Sequence, residues 1–156
     1  MKKIVLAGLI LLTSAAFAAN TGTLVISGVV TAVNDLLIAP TPEATTLNIT
    51  GGETGRLVAA VQETSNSLTG YNIKMRSANA SKLVHGTDPS KSTAYTISYD
   101  SGAAVSLTTS DQIVKNISSL TGLTTVSSNV NVNVTAYPLA PAGTYSDTIT
   151  ISIAAN

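Results

Sequence analysis

Asn129-Val130-Asn131-Val132-Asn133-Val134-Thr135 places valine at every second position and a polar residue at each position between. Side chains of an extended chain point alternately to two faces, so this pattern puts one face in an apolar interior and the other in water. The same period recurs outward in both directions. Toward the C-terminus, Tyr145, Ile149, Ile151 and Ile153 face one way, and Thr148, Thr150 and Ser152 the other. Toward the N-terminus, Tyr95, Ile97 and Tyr99 form a segment that a turn at Asp100-Ser101-Gly102 links to Val105 and Leu107. Tyr71, Ile73 and Met75 alternate with Asn72, Lys74 and Arg76, and Leu57, Ala59 and Val61, then Leu47 and Ile49, continue the series. Leu24, Ile26, Gly28 and Val30 open it. Roughly seven or eight such segments between Gly-, Pro-, Asn- and Asp-rich turns predict an all-β fold of two sheets packed face to face. Pro40 and Pro42 break one apolar stretch, and Pro138, Pro141 and Gly143 form the turn before the closing strand. Asp111–Leu120 reads equally as a strand pair or as a short helix, with Ile113, Ile117 and Leu120 at helical spacing behind Ser110 as N-cap.

Composition narrows the function. The 156 residues are 44% hydrophobic and only 10% charged, so Ser, Thr and Asn must cover most of the surface. A formal net charge of +0 and the lack of a basic run leave nothing to track a nucleic-acid backbone. With no cysteine there is no disulfide, no thiolate chemistry and no Cys-ligated metal.

The first residues read as a targeting segment. Lys2 and Lys3 precede the apolar run Ile4–Leu12, and Ala16-Phe17-Ala18 follows. A basic head, a short apolar stretch and an Ala-x-Ala end predict a signal peptide over 1–18, with export to the periplasm. The apolar run is too short to cross a bilayer. Its removal leaves six basic against eight acidic side chains, a net charge of −2, and five tyrosines as the aromatic complement.

Catalytic constellations are scarce. His85 is the single histidine and reads as a solvated turn residue. Asp35, Glu43, Glu53, Glu63, Asp88, Asp100, Asp111 and Asp147 are scattered and read as solvated turn acids, with no acid/base pair and no calcium-loop pattern. Gly51-Gly52-Glu53-Thr54-Gly55 reads as a tight turn, because no Lys-Ser/Thr ending follows it. Tyr71, Tyr95, Tyr99 and Tyr145 share the parity of their aliphatic neighbours and are expected in the core or at its edge, hydroxyls at the rim. No enzyme activity, cofactor or metal is expected.

The two ends carry the specific signal. Gly22-Thr23-Leu24-Val25-Ile26-Ser27-Gly28, the closing Gly143-Thr144-Tyr145-Ser146-Asp147 leading into Ile149, Ile151 and Ile153, and Gly70–Ser77 together resemble subunits of bacterial pili assembled by the chaperone–usher pathway, in a cysteine-free branch. Spore coat protein U-like domains share the closing pattern. The resemblance implies an immunoglobulin-like β-sandwich over 32–156 that lacks its last strand, behind a donor-strand extension over 19–31. It implies a structural fimbrial subunit supporting adhesion or biofilm formation at the cell surface. Its partners would be copies of itself in a linear polymer, with a periplasmic chaperone and an outer-membrane usher during assembly, and no nucleic acid. Carried over to this chain, Leu24, Ile26, Gly28 and Val30 would be the donor positions, and Tyr145, Ile149, Ile151 and Ile153 the edge of the acceptor groove. The alternative is a self-contained secreted β-sandwich acting as a binding or coat protein, in which residues 20–30 pair within their own domain.

Overall fold

A computed structural model describes residues 20–156. The expected signal peptide lies outside the described residues. The chain divides between Val30 and Thr31. Of the first unit, residues 20–30 carry no strand, and their side chains are exposed. The alternation of Leu24, Ile26 and Val30 therefore does not produce a strand here, which a chain segment without a ladder partner cannot sustain.

The second unit contains nine strands: β1 (Asn34–Pro40), β2 (Glu53–Ser65), β3 (Tyr71–Ser77), β4 (Lys82–His85), β5 (Ser92–Tyr99), β6 (Gln112–Ile117), β7 (Thr124–Val134), β8 (Tyr145–Ser146) and β9 (Ile149–Ala155). They form one sheet in the order β1-β2-β7-β5-β4-β8 and a second in the order β6-β3-β9. Every named pairing is antiparallel. A single turn of 3₁₀ helix, Pro42–Thr45, follows β1. The fold is thus all-β with two sheets, as the period-two pattern requires.

Inward residues of both sheets meet in one core: Val61, Tyr71, Ile73, Met75, Ile97, Leu107 and Val130 are nearly or wholly inaccessible to solvent. The Val130/Val132/Val134 face of β7 lies at its centre, and the intervening Asn and Ser residues look outward or bond to neighbours. Three register shifts modify the simple alternation, the first between Glu53 and Arg56 of β2. In β2 the register also shifts between Leu57 and Ala59, so Val58 and Ala59 are both buried while Leu57 is exposed. In β6 the register shifts opposite Ile73/Lys74, which inserts Val114 as an extra residue. Asp111–Leu120 is accordingly one strand with short irregular flanks, neither a helix nor a strand pair: of the residues at helical spacing, Ile117 and Leu120 pack on the core while Ile113 is 58% exposed, and the bulge turns Val114 inward instead.

The two ends of the sandwich differ. At one end the β2–β3 turn and the segment before β7 carry Leu68 and Leu123, and the chain begins its domain there. Asn66 accepts from the Val33 amide at 2.8 Å and donates to the Thr31 carbonyl at 2.8 Å. β9 finishes at this end, with Ala155 opposite Tyr71. Gly70 is required in its turn, because φ is +78° and a Cβ would run into the Ile117 carbonyl. At the other end lie the close of β1, the 3₁₀ turn, the start of β9 and the Tyr137–Ala142 loop that follows β7.

Candidate functional site

Between the two sheets, at the end away from Leu68, an apolar cleft of about 350 Å³ is open to solvent. Ile38 of β1 stands on one rim and Ile149 and Ile151 of β9 on the other, with Leu47, Val58 and Val132 among the residues lining it. Both rims are free edges. Among the described residues, β1 pairs with β2 only, and β9 with β3 only. The backbone groups on the far side of each strand therefore have no ladder partner, a feature that natural sheets ordinarily cover. An apolar floor between two unpaired edges is consistent with an incomplete β-sandwich open to a completing strand.

Polar clamps fix the spacing of the sheets on either side of this cleft. Glu63 of β2 is fully buried, and its carboxylate accepts hydrogen bonds from the Tyr71 hydroxyl at 2.6 Å, the Tyr99 hydroxyl at 2.6 Å and the Ser128 hydroxyl at 2.7 Å. Lys115 of β6 reaches the same carboxylate at 3.2 Å, donates to Ser128 Oγ at 2.9 Å and pairs with Asp100 at 2.7 Å. Tyr71 and Lys115 belong to the three-stranded sheet, and Glu63, Tyr99 and Ser128 to the six-stranded one, so this network ties the sheets together through the interior. Burial pushes the Glu63 carboxyl up, and the hydrogen bonds from Tyr71, Tyr99, Ser128 and Lys115 outweigh it, holding it below its ordinary value. Burial, then the bond to Glu63, drives the Tyr71 and Tyr99 hydroxyls well above theirs.

The second clamp is built by Gly143-Thr144-Tyr145-Ser146-Asp147. Tyr145 and Ser146 form β8 against β4 in the six-stranded sheet; three residues after Ser146, Ile149 has joined β3 in the other. Asp147 makes this change of sheet. Its Oδ2 accepts from the Ser77 hydroxyl of β3 and from the Tyr95 hydroxyl of β5 at 2.6 Å, and its Oδ1 from the amides of Asn79 at 3.0 Å and Thr148 at 2.7 Å. Gly143 lies against the His85 ring, which a Cβ at that position would strike at Nε2, and Tyr145 packs edge-on to the same ring with centroids 5.0 Å apart.

Several sequence expectations change here. His85 is buried rather than solvated: Nδ1 accepts from the Asp88 amide at 3.1 Å and the Thr87 amide at 3.3 Å, so Nε2 carries the hydrogen and donates to the Ala142 carbonyl at 3.1 Å. Glu63 is a core residue and Asp147 a half-buried one, not solvated turn acids. The hydroxyls of Tyr71, Tyr95 and Tyr99 end on carboxylates inside the sandwich rather than at its rim. Parity along β2 was the available signal for Glu63, which follows Ala59 and Val61 on the inward face.

The structure separates the four expected groove residues. Ile149 and Ile151 line the cleft, Ile153 packs on the core farther along β9, and Tyr145 lies on the other sheet beside a neighbouring depression. Ile38, Leu47 and Val58 also line the cleft; of these the sequence marks Leu47, through its alternation with Ile49, and does not connect any of the three with a groove. Of the expected donor positions, Leu24 is 84% exposed, Ile26 87% and Val30 87%, and nothing lies within 4 Å of a Cβ placed on Gly28. Among the described residues there is no cluster of His, Asp and Glu able to hold a metal ion, and no helix long and apolar enough to cross a membrane. No family model matches the sequence, and no curated protein matches it.

Proposed function

We propose that this protein is a structural subunit of a bacterial surface pilus or fimbria that polymerises by donor-strand exchange. The observation that carries the proposal is the apolar cleft between two unpaired strand edges in a chain whose residues 20–30 expose Leu24, Ile26 and Val30 on one face of the period-two pattern, with Val25 and Val29 on the other. The domain is then an immunoglobulin-like sandwich short of one strand. Leu24, Ile26 and Val30 of one subunit enter the cleft of another, with Gly28 between Ile26 and Val30 on the same face. Each large side chain transferred from water contributes about 1.5–3 kcal/mol before ordering costs, and ladder bonds to a free strand edge of the cleft set the register. An open apolar cleft is an aggregation hazard during export, so a periplasmic chaperone would cover it until an outer-membrane usher brings the next subunit. The sparsely charged, hydroxyl-rich surface suits close packing of many copies outside the cell.

The test uses size-exclusion chromatography of the protein without residues 1–18. The intact chain is expected to form polymers, deletion of 20–30 to yield a folded monomer, and Ile26→Asp to weaken joining with the fold unchanged. Polymers of normal length from the deleted chain would refute the proposal.

A further inference from the structure

Joining subunits through the cleft forces a second contact, and its residues can be named; this inference rests on the donor-strand reading. A strand laid between β1 and β9 can run in either direction, but the position of Thr31 and Val33 selects one. Both are fixed to Asn66 at the Leu68 end. Were the inserted strand to leave its acceptor at the Leu68 end, the donor's domain would meet that acceptor Leu68 end to Leu68 end. A third subunit, leaving the second at the same place, would then collide with the first, and growth would stop at a pair. An inserted strand that leaves at the opposite end uses each end once, and the chain grows without limit.

Between Val30 in the cleft and Val33 at Asn66, three residues span at most about 10 Å. The Leu68 end of each subunit is therefore held against the opposite end of the subunit it inserts into. That opposite end presents Leu139, 88% exposed, on a turn braced from three sides: the Tyr137 amide donates to Ile49 O at 2.8 Å, the Tyr145 hydroxyl to Pro141 O at 3.1 Å and His85 Nε2 to Ala142 O at 3.1 Å. The facing end presents Leu68 and Leu123, 72% and 68% exposed. No charged residue occurs between Asn116 and Ser146 or between Thr64 and Ile73, so neither the leucine turns nor their neighbours in sequence bring a charge to be desolvated. We infer that Leu139 of one subunit packs on Leu68 and Leu123 of the next, an end-to-end contact that aligns successive domains. A rigidly held, protruding leucine makes an effective anchor because little side-chain or loop freedom is lost on docking.

Because the chain has no cysteine, single cysteines report the contact cleanly. Leu139→Cys and Leu68→Cys chains, each without residues 1–18, are polymerised together and treated with a short bis-maleimide. Heterotypic dimers, one chain of each variant, are expected at least tenfold above either homotypic product, and the same pair carrying Ile26→Asp should lose them. Ile26-dependent polymers with homotypic or no cross-links would overturn the end-to-end contact while leaving donor-strand joining intact. Failure of the chains to polymerise would overturn both. In chains without introduced cysteines, Leu139→Asp is expected to lower joining affinity about tenfold with unchanged monomer stability, whereas unchanged affinity would count against the anchor.

Discussion

The Tyr71 hydroxyl donates to Glu63 across 2.6 Å of core, joining β3 of one sheet to β2 of the other with no covalent link. A hydrogen bond to a buried carboxylate contributes about 1.5–3 kcal/mol, more than most contacts on the surface. Tyr71→Phe preserves the ring and removes only the donor, so it is expected to lower unfolding free energy by about that amount in urea titration. Glu63→Gln should cost about 1–3 kcal/mol, because it puts an amide where four donors converge, while Lys115 keeps Asp100 at 2.7 Å as its ionic partner.

The same network sets the pH range of stability. The Glu63 carboxyl is held below its ordinary 4.5 in the folded protein, so the unfolded chain takes up a proton at higher pH. Its contribution is present above about pH 4.5 and is lost as pH falls through the folded value. Tyr71 and Tyr99 are shifted the other way, above an ordinary 10.0, so their contribution is complete below pH 10 and disappears as pH rises through the folded values. Thermal melts are expected to show a plateau between these limits. Glu63→Gln should flatten the acid limb, and an unaltered acid limb would show that other carboxylates control it.

Gly143→Ala tests the second clamp. The added methyl would meet the His85 ring, whose Nδ1 and Nε2 are both engaged, so the ring cannot swing away without breaking bonds. A loss of about 1–3 kcal/mol is expected from overpacking. Calorimetry measures it, and a loss under about 0.5 kcal/mol would mean that the loop yields freely.

Ile38 separates binding from folding. It stands on a free edge at 39% exposure, so Ile38→Ser should change domain stability by less than about 1 kcal/mol. Its side chain lines the cleft, and a synthetic peptide of residues 20–30 is expected to bind the deleted domain about tenfold more weakly after the substitution. Equal affinity by isothermal titration calorimetry would place the peptide elsewhere.

Much of the fold follows from the linear pattern alone. Alternation at Val130, Val132 and Val134, and at Tyr71, Ile73 and Met75, dictates strands with one buried face, because period two has no other compact solution. The sequence also marks the two stretches on which the proposed joining rests, Leu24–Val30 and Ile149–Ile153. What only the tertiary structure decided is which strand lies beside which. Tyr145 and Ile149 share a parity in the chain yet belong to different sheets, because Asp147 gathers hydrogen bonds from Ser77 and Tyr95 across the gap. Glu63 reads as one more scattered acid until Tyr71, Tyr99, Ser128 and Lys115, distant along the chain, converge on it. The cleft itself arises only when β1 and β9 become the outer strands of separate sheets, a consequence of long-range pairing that no local period encodes.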